Sequence, residues 1–186
     1  MEISHPVAIV GDIHGQYEML HRIFSTFAER GRPGWTQIRF LFLGDYVDRG
    51  DKCLEVFMFL FLLKIKNPKS FAILRGNHET KHINSRFGFR KEIMERFAEH
   101  GEEKVEYVYK LINDVFDFFS VGCLICTSIF SSSPIKSIQP NPFWNDPSDT
   151  INGFHRSANR DVGTNYGRTE LEALQKHGII AVFRAH

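Results

Sequence analysis

The stretch VAIVGDIHG, residues 7–15, joins a short apolar run to an acid and a histidine that lie two residues apart between glycines. A continuous apolar run of this length is typical of a strand that is covered on both faces of a sheet. Two later stretches repeat the arrangement, FLFLGD at 40–45 and FAILRGNH at 71–78. The repetition predicts three strands, each followed by glycine and by a side chain that can bind a metal.

Helical patterns lie between these apolar runs. One amphipathic stripe covers residues 20–27, and a largely apolar helix is predicted from Cys53 to Lys66, ended by Asn67-Pro68. Strand–helix–strand order predicts parallel strands with helices packed against them. Ligands of such sheets lie beyond the carboxyl ends of the strands. We therefore expect one sheet edge to gather the polar residues that follow the strands: Asp12, His14, Asp45, Asn77, His78 and His186.

The rest of the chain continues the α/β pattern. Helices are predicted at about 90–100 and 103–119, strands at 121–130 and 179–183, a short helix at 169–178, and a loop at 131–153. No internal repeat or low-complexity tract is present in the sequence. We expect a single domain over residues 1–186.

Composition points to a soluble globular protein. The 186 residues are 42% hydrophobic and 24% charged, and the formal net charge is +1. This near-neutral charge does not indicate binding to nucleic acid or to a membrane. The N-terminus lacks a signal-peptide pattern, and the apolar run at 56–63 is shorter than the ~20 residues that span a bilayer. We expect an intracellular protein, in the cytoplasm, the nucleus or both.

The polar residues expected at this edge of the sheet predict a metal site. Two carboxylates about 4 Å apart repel by about 1 kcal/mol in water and about 4 kcal/mol at an effective dielectric near 20. A cation removes this cost for Asp12, Asp45 and Asp48, and oxygen with imidazole ligands suits Mn, Fe or Zn. Arg49 and Arg75 border the same loops, and their guanidinium groups match phosphate. A single Asp-Gly element is often only a turn, but three such strand ends disfavour that alternative.

Three motifs together carry a family resemblance. GDIHG (11–15), GDYVDRG (44–50) and RGNHE (75–79), in this order, resemble the signature of the PPP family of protein serine/threonine phosphatases. The neighbouring stretches FLFLGDYVDRG and LRGNHETKHINSRFGF are similar to its phosphatase-1-like branch. The resemblance implies a metallophosphoesterase-like layered sheet with flanking helices, and a phosphatase catalytic domain.

The resemblance also implies the ligands of two divalent metal ions. Asp12 and His14 would bind the first ion, and Asp45 would bridge both ions. Asn77 would bind the second ion, together with His186 at the end of the RAH element in FRAH.

The resemblance implies the catalytic groups as well. His78 would be the general acid that protonates the departing serine or threonine oxygen, and Asp48 would orient it. Arg49 and Arg160 would grip the phosphate, and Asn77 would also contact it. The implied reaction is hydrolysis of phosphoserine or phosphothreonine by a metal-activated water. The implied partners are phosphoprotein substrates and regulatory subunits, with no nucleic acid and no membrane.

The later part of the chain departs from the family pattern. A further second-metal histidine is expected in a CHGG-L-S-P element, where this chain has SIFSSSP at 128–134. Aligning on Ser133-Pro134 puts Ile129 in the place of that histidine. We therefore expect a weakened second metal site. Because the family uses further strands after the RAH element, we also expect a catalytic domain that is partial, with its sheet incomplete at the C-terminal side.

Two other functions stay open at this point. The first is a catalytically impaired pseudophosphatase that binds phosphoproteins or regulatory subunits. The second is a metallophosphoesterase that acts on nucleotides, against which the INSRFGF continuation at 83–89 argues.

Overall fold

The structure is a computed structural model that describes part of the chain. The described residues are 2–3, 7–29, 38–125, 146–157, 163–170, 172 and 183. Two compact units divide the chain, one made of Met1–Phe130 with Arg184–His186 and the other of Ser131–Phe183. The expectation of one domain over residues 1–186 stays a prediction.

The first unit contains five strands. They are β1 (Glu2–Ile3), β2 (Val7–Val10), β3 (Arg39–Phe42), β4 (Phe71–Ile73) and β5 (Leu124–Ile125). The middle three form a parallel sheet in the order β2-β3-β4, and β1 pairs with β5 in a separate parallel pair. The predicted parallel sheet is therefore confirmed.

The helices of this unit follow the strands. They are α1 (Tyr17–Glu29), α2 (Cys53–Lys66), α3 (Lys81–Asn84), α4 (Phe89–Arg96) and α5 (Glu102–Asp117), with a 3-10 turn at Ala98–His100. The bounds of α2 are those predicted from the sequence. Among the described residues, the helices are all too short or too polar to cross a bilayer.

The sheet is buried on both faces, as its continuous apolar strands predict. On one face, Phe40 and Phe71 stack with ring centroids 5.5 Å apart, and Phe24 of α1 packs 5.1 Å from Phe40. On the other face, Leu41 and Leu74 are buried with their neighbours. Burying a Phe or Leu side chain fully contributes about 1.5–3 kcal/mol, so this core fixes the strand ends from which the polar loops leave.

Helix α4 caps the start of α2. The Glu92 carboxylate accepts the N–H groups of Cys53 at 2.9 Å and Leu54 at 3.1 Å. These are among the N–H groups that a helix leaves unpaired at its first turn, where negative charge also suits the helix dipole. The contact therefore joins α4 to the beginning of α2, at the end of the loop formed by residues 44–52.

The second unit contains a small mixed sheet. Its strands β6 (Asp146–Pro147), β7 (Phe154–Arg156) and β8 (Thr164–Tyr166) lie in the order β6-β8-β7, with β8 parallel to β6 and antiparallel to β7. The predicted loop at 131–153 is therefore wrong at Asp146–Pro147, and the sequence did not predict β7 or β8. Strands of two or three residues are too short to show an alternating pattern.

Several predictions fall on other parts of the chain. Strand β5 confirms part of the strand expected at 121–130. Residues 126–145, and most of the helix and strand expected at 169–178 and 179–183, lie outside the described residues.

Candidate metal centre

The loops that follow β2 and β3 are joined through their backbones. The Asp45 carbonyl accepts the N–H groups of Ile13 at 3.0 Å and His14 at 2.9 Å, and the Tyr46 carbonyl accepts the N–H of Gly15 at 2.9 Å. This ladder brings the GDIHG and GDYVDRG loops together at the carboxyl end of the sheet.

The RGNHE loop approaches so closely that glycine is required. A Cβ at Gly76 would lie 2.2 Å from Asp45 Oδ1, and one at Gly44, whose φ is +122°, would lie 2.4 Å from the Gly76 nitrogen. Both distances are below any normal contact with carbon. The glycines therefore let the three loops close around one point.

Three buried side chains point their ligand atoms at that point. The ligand atoms of His14, Asp45 and His78 all lie within 4.8 Å of one another. The Val47 carbonyl lies 2.8 Å from His14 Nδ1. Because a carbonyl can only accept, His14 carries its proton on Nδ1 and presents the lone pair of Nε2. Asp12 adds a carboxylate oxygen 3.8 Å from that Nε2.

Two of these atoms lack a hydrogen-bond partner among the described residues. They are His14 Nε2 and Asp45 Oδ2, and both are buried. A buried polar atom without a partner costs about 1–3 kcal/mol. Converging lone pairs from two carboxylates and an imidazole are donors that a divalent cation accepts, so these residues fit a metal ion.

Electrostatics agrees with this fit. Burial raises the pKa of Asp45 above its usual value, and the charge of Asp12 raises it further, while the His78 N–H that donates to Asp45 acts in the opposite direction. A nearby cation stabilises the ionised form of such a carboxylate.

The backbone of the site is strained. His14, Asp45, Asp48 and Arg49 have φ values of 45°, 56°, 70° and 66°, in the left-handed region that non-glycine residues rarely adopt. Each such residue costs of order 1–3 kcal/mol and persists only where the surrounding structure imposes it. Strain of this kind is concentrated at functional sites.

A histidine–aspartate pair adjoins the cluster. His78 Nδ1 lies 2.7 Å from Asp48 Oδ2, and the other Asp48 oxygen accepts the Phe89 N–H at 2.9 Å. The Nε2 side of the ring faces Arg49, whose Nη2 is 3.5 Å away. The pair therefore presents a ring nitrogen and a guanidinium group at the same place.

A family comparison agrees with this geometry. A sequence model of the calcineurin-like phosphoesterases matches residues 5–186. The chain belongs to this family.

This chain has relatives that are named serine/threonine-protein phosphatases. It is 31% identical over 208 residues to the serine/threonine-protein phosphatase 4 catalytic subunit of Saccharomyces cerevisiae, covering 100% of this chain and 63% of the relative. It is 30% identical over 209 residues to the PP2A-like serine/threonine-protein phosphatase PPG1 of Candida albicans, covering 100% of this chain and 48% of the relative. The resemblance to PPP-type phosphatases is thus confirmed, while its phosphatase-1-like branch stays a prediction.

A solved structure shows the same fold. A protein serine/threonine phosphatase from Saccharomyces cerevisiae, with similarity to human phosphatase PP5, matches with a TM-score of 0.77 at 23% identity. The match covers 99% of this chain and 63% of that chain. The predicted metallophosphoesterase-like α/β fold is confirmed. The chain spans less than two thirds of the length of this solved protein and of the two sequence relatives above.

One important side chain of this candidate site was not singled out from the sequence. Glu79 is fully buried, and its two carboxylate oxygens accept the backbone N–H groups of four residues at 2.7–3.3 Å: Asp45, Tyr46, Val47 and Gly76. Burial and the charge of Asp45 raise the pKa of Glu79 to about 7, and the backbone donors oppose the rise. Glu79 therefore joins the loops after β3 and β4. The sequence signal that could have found it is its position as the last residue of the RGNHE motif.

The remaining predicted residues have different positions. Asn77 is buried in the RGNHE loop beside His78. Arg75 does not stand free for phosphate, because its Nε donates to the Glu79 carbonyl at 3.0 Å and its guanidinium pairs with Asp117. Arg160, His186 and Ile129 lie outside the described residues, so their predicted roles stay predictions.

Proposed function

We propose that this chain is a metal-dependent phosphoprotein phosphatase that hydrolyses phosphoserine and phosphothreonine. The observation that carries the proposal is the buried His78–Asp48 pair, which lies beside a cluster suited to a metal ion. The names of the relatives, which are serine/threonine-protein phosphatases, support the choice of substrate class.

The metal ligands of the proposal come from all three loops. Asp12, His14, Asp45 and Asn77 would hold two divalent ions, and His186 would be a further ligand of the second ion. When bound, such ions supply Lewis acidity toward a phosphoryl oxygen and a nucleophilic water at neutral pH. The sequence at Ile129 supports a second site that binds more weakly than the first.

The proton for the leaving group comes from His78. In the proposed step Asp48 accepts the Nδ1–H and the proton to be transferred is carried on Nε2, where Arg49 must give up its 3.5 Å contact because a guanidinium cannot accept a hydrogen bond. From there the proton can pass to the serine or threonine oxygen as the bond to phosphorus breaks. Arg49 would hold the phosphate in reach, with Arg160 as the second predicted arginine.

A binding module is the second candidate function. It is favoured by one observation, the stretch SIFSSSP at 128–134, which has no histidine where the family pattern places a metal ligand. In this alternative the chain binds phosphoproteins or regulatory subunits without turnover. One relative is named a catalytic subunit, which supports a subunit partner for either function. An intracellular location, in the cytoplasm or nucleus, is part of the same proposal.

The deciding experiment measures phosphate release from a phosphoserine or phosphothreonine peptide with Mn²⁺ present. We expect turnover by the wild-type chain and a loss of about 10²-fold or more in His78→Asn. His155→Asn, an exposed histidine of the second unit, is the matched control and should keep wild-type turnover. Turnover that does not depend on His78 contradicts the proposal. Peptide binding without phosphate release favours the binding module.

A further inference from the structure

We infer that helix α5 positions His78 through a buried chain of amide and hydroxyl groups, which makes Asn84, Tyr109 and Asn113 positioning residues of the site. The inference rests on the role proposed for His78. The direct link is Asn84, whose Nδ2 donates to the His78 carbonyl at 3.1 Å. Its second N–H donates to Asn113 Oδ1 at 2.9 Å.

Two backbone carbonyls fix the direction of every bond in this chain. The His78 carbonyl can only accept, so the Asn84 atom that faces it must be the nitrogen. Asn84 Oδ1 then accepts the Tyr109 hydroxyl. At the other end, Asn113 Nδ2 donates to the Tyr109 carbonyl at 3.0 Å, which orients Oδ1 of Asn113 toward Asn84. Each amide therefore has one orientation, and both are satisfied.

Besides the Arg49 contact at Nε2, His78 is held at three points. Its N–H donates to Asp45 Oδ1 at 3.2 Å, its ring Nδ1 pairs with Asp48, and its carbonyl is held by Asn84. The first two contacts come from the loop after β3. Only the third contact leads to α5. It does so through Asn84, which contacts the Tyr109 hydroxyl and the Asn113 amide on that helix.

The surroundings of the network argue for a positional role. Tyr109 and Asn84 are fully buried, and Phe89 packs with its ring centroid 6.2 Å from that of Tyr109. An apolar side chain of similar size would fill such a site at no polar cost, whereas a polar network is favourable only when every member is satisfied. This network is complete, and it ends on the backbone of the proposed catalytic histidine.

The test compares Tyr109→Phe with Tyr107→Phe on the full chain. Both changes remove one hydroxyl from α5, but Tyr107 is 63% exposed and takes no part in the network. On a phosphoserine peptide with Mn²⁺, Tyr109→Phe should lower kcat by about 10-fold, because small displacements of a catalytic group cost up to about 10²-fold. KM should change by less than about twofold, since phosphate binding does not depend on the network. Tyr107→Phe should leave both constants unchanged.

A second readout does not require turnover. In protein labelled with ¹⁵N-histidine, the imidazole cross peaks of His78 should shift in Tyr109→Phe, and those of His155 in the second unit should not. A native protein whose His78 peaks stay in place overturns the inference, whatever the activity. If the wild-type chain shows no turnover, the proposed function fails, and the His78 peaks still decide the inference. Should Tyr109→Phe not fold, Asn113→Ala removes the acceptor for Asn84 and must shift the same peaks.

Discussion

His78 Nδ1 lies 2.7 Å from Asp48 Oδ2, and both side chains are buried. The two residues belong to different loops, and Asp48 is fixed in turn by the Phe89 N–H at the start of α4. The histidine therefore has one ring nitrogen committed to the protein and the other directed toward Arg49. This arrangement supports the general-acid role that we propose for His78.

Replacing Asp48 by asparagine should disable that acid. The amide cannot stabilise the imidazolium as a carboxylate does, so kcat on a phosphopeptide should fall by about 10²–10⁴-fold. Asp114→Asn provides the control, because Asp114 is exposed on α5 and paired with Lys110. An Asp48→Asn protein with wild-type kcat would show that Asp48 does not serve His78.

Loss of Asp45 should weaken metal binding. Asp45→Asn removes charge from the centre of the cluster, and its affinity for Mn²⁺, measured by calorimetry, should fall by about 10-fold or more. The exposed Asp51, six residues further along the same loop, is the matched site, and Asp51→Asn should bind Mn²⁺ as the wild type does. Equal losses in both variants would mean that general charge, not the cluster, attracts the ion.

Truncating Glu79 should destabilise the first unit strongly. Glu79→Ala leaves buried N–H groups of the loops after β3 and β4 without an acceptor. Each such donor costs about 1–3 kcal/mol, so the free energy of unfolding in urea should fall by roughly 3 kcal/mol or more. Glu95→Ala on the exposed face of α4 should change it by less than about 0.5 kcal/mol. A similar loss in the two variants would contradict the role given to Glu79.

A methyl group at Gly76 should disrupt the junction of the loops. It would lie 2.2 Å from Asp45 Oδ1 and 2.5 Å from the Asp45 nitrogen, so Gly76→Ala forces the backbone apart and should cost about 3 kcal/mol or prevent folding. At Gly122 an added Cβ meets nothing within 4 Å. Gly122→Ala should therefore unfold at the wild-type denaturant concentration. If Gly76→Ala does the same, the three loops are not as close as described.

Alkaline pH should destabilise the protein by ionising Tyr109, a member of the hydrogen-bond network that ends on His78. Burial raises the pKa of Tyr109 to about 12, although Asn113 and Arg90 favour the ionised form. In the unfolded chain the hydroxyl ionises near pH 10. The unfolded state thus binds fewer protons between about pH 10 and 12, and stability falls over that range.

The comparison that isolates this effect is urea unfolding of wild type and Tyr109→Phe at pH 9 and at pH 11. Wild type should lose more stability between the two pH values than the variant, because Tyr46 and the other groups are common to both. Parallel losses would indicate that Tyr109 ionises normally in the folded protein.

The sequence by itself determined the sheet and the location of the site. The runs at 7–10, 39–43 and 70–74 are predicted to be buried strands from their local apolar composition alone. The helix from Cys53 to Lys66 is bounded by local sequence signals. Because parallel strands end at one edge, the positions of Asp12, His14, Asp45 and His78 followed from topology alone.

Tertiary structure decided what holds those residues in place. Glu79 contacts Tyr46 across 33 positions of sequence, and Asn84 contacts Asn113 across 29. Such pairs produce no periodic pattern in the sequence, because the partner of a buried polar group is set by how loops and helices pack. The same reason explains β7 and β8, whose pairing depends on distant neighbours and not on the few residues that compose them.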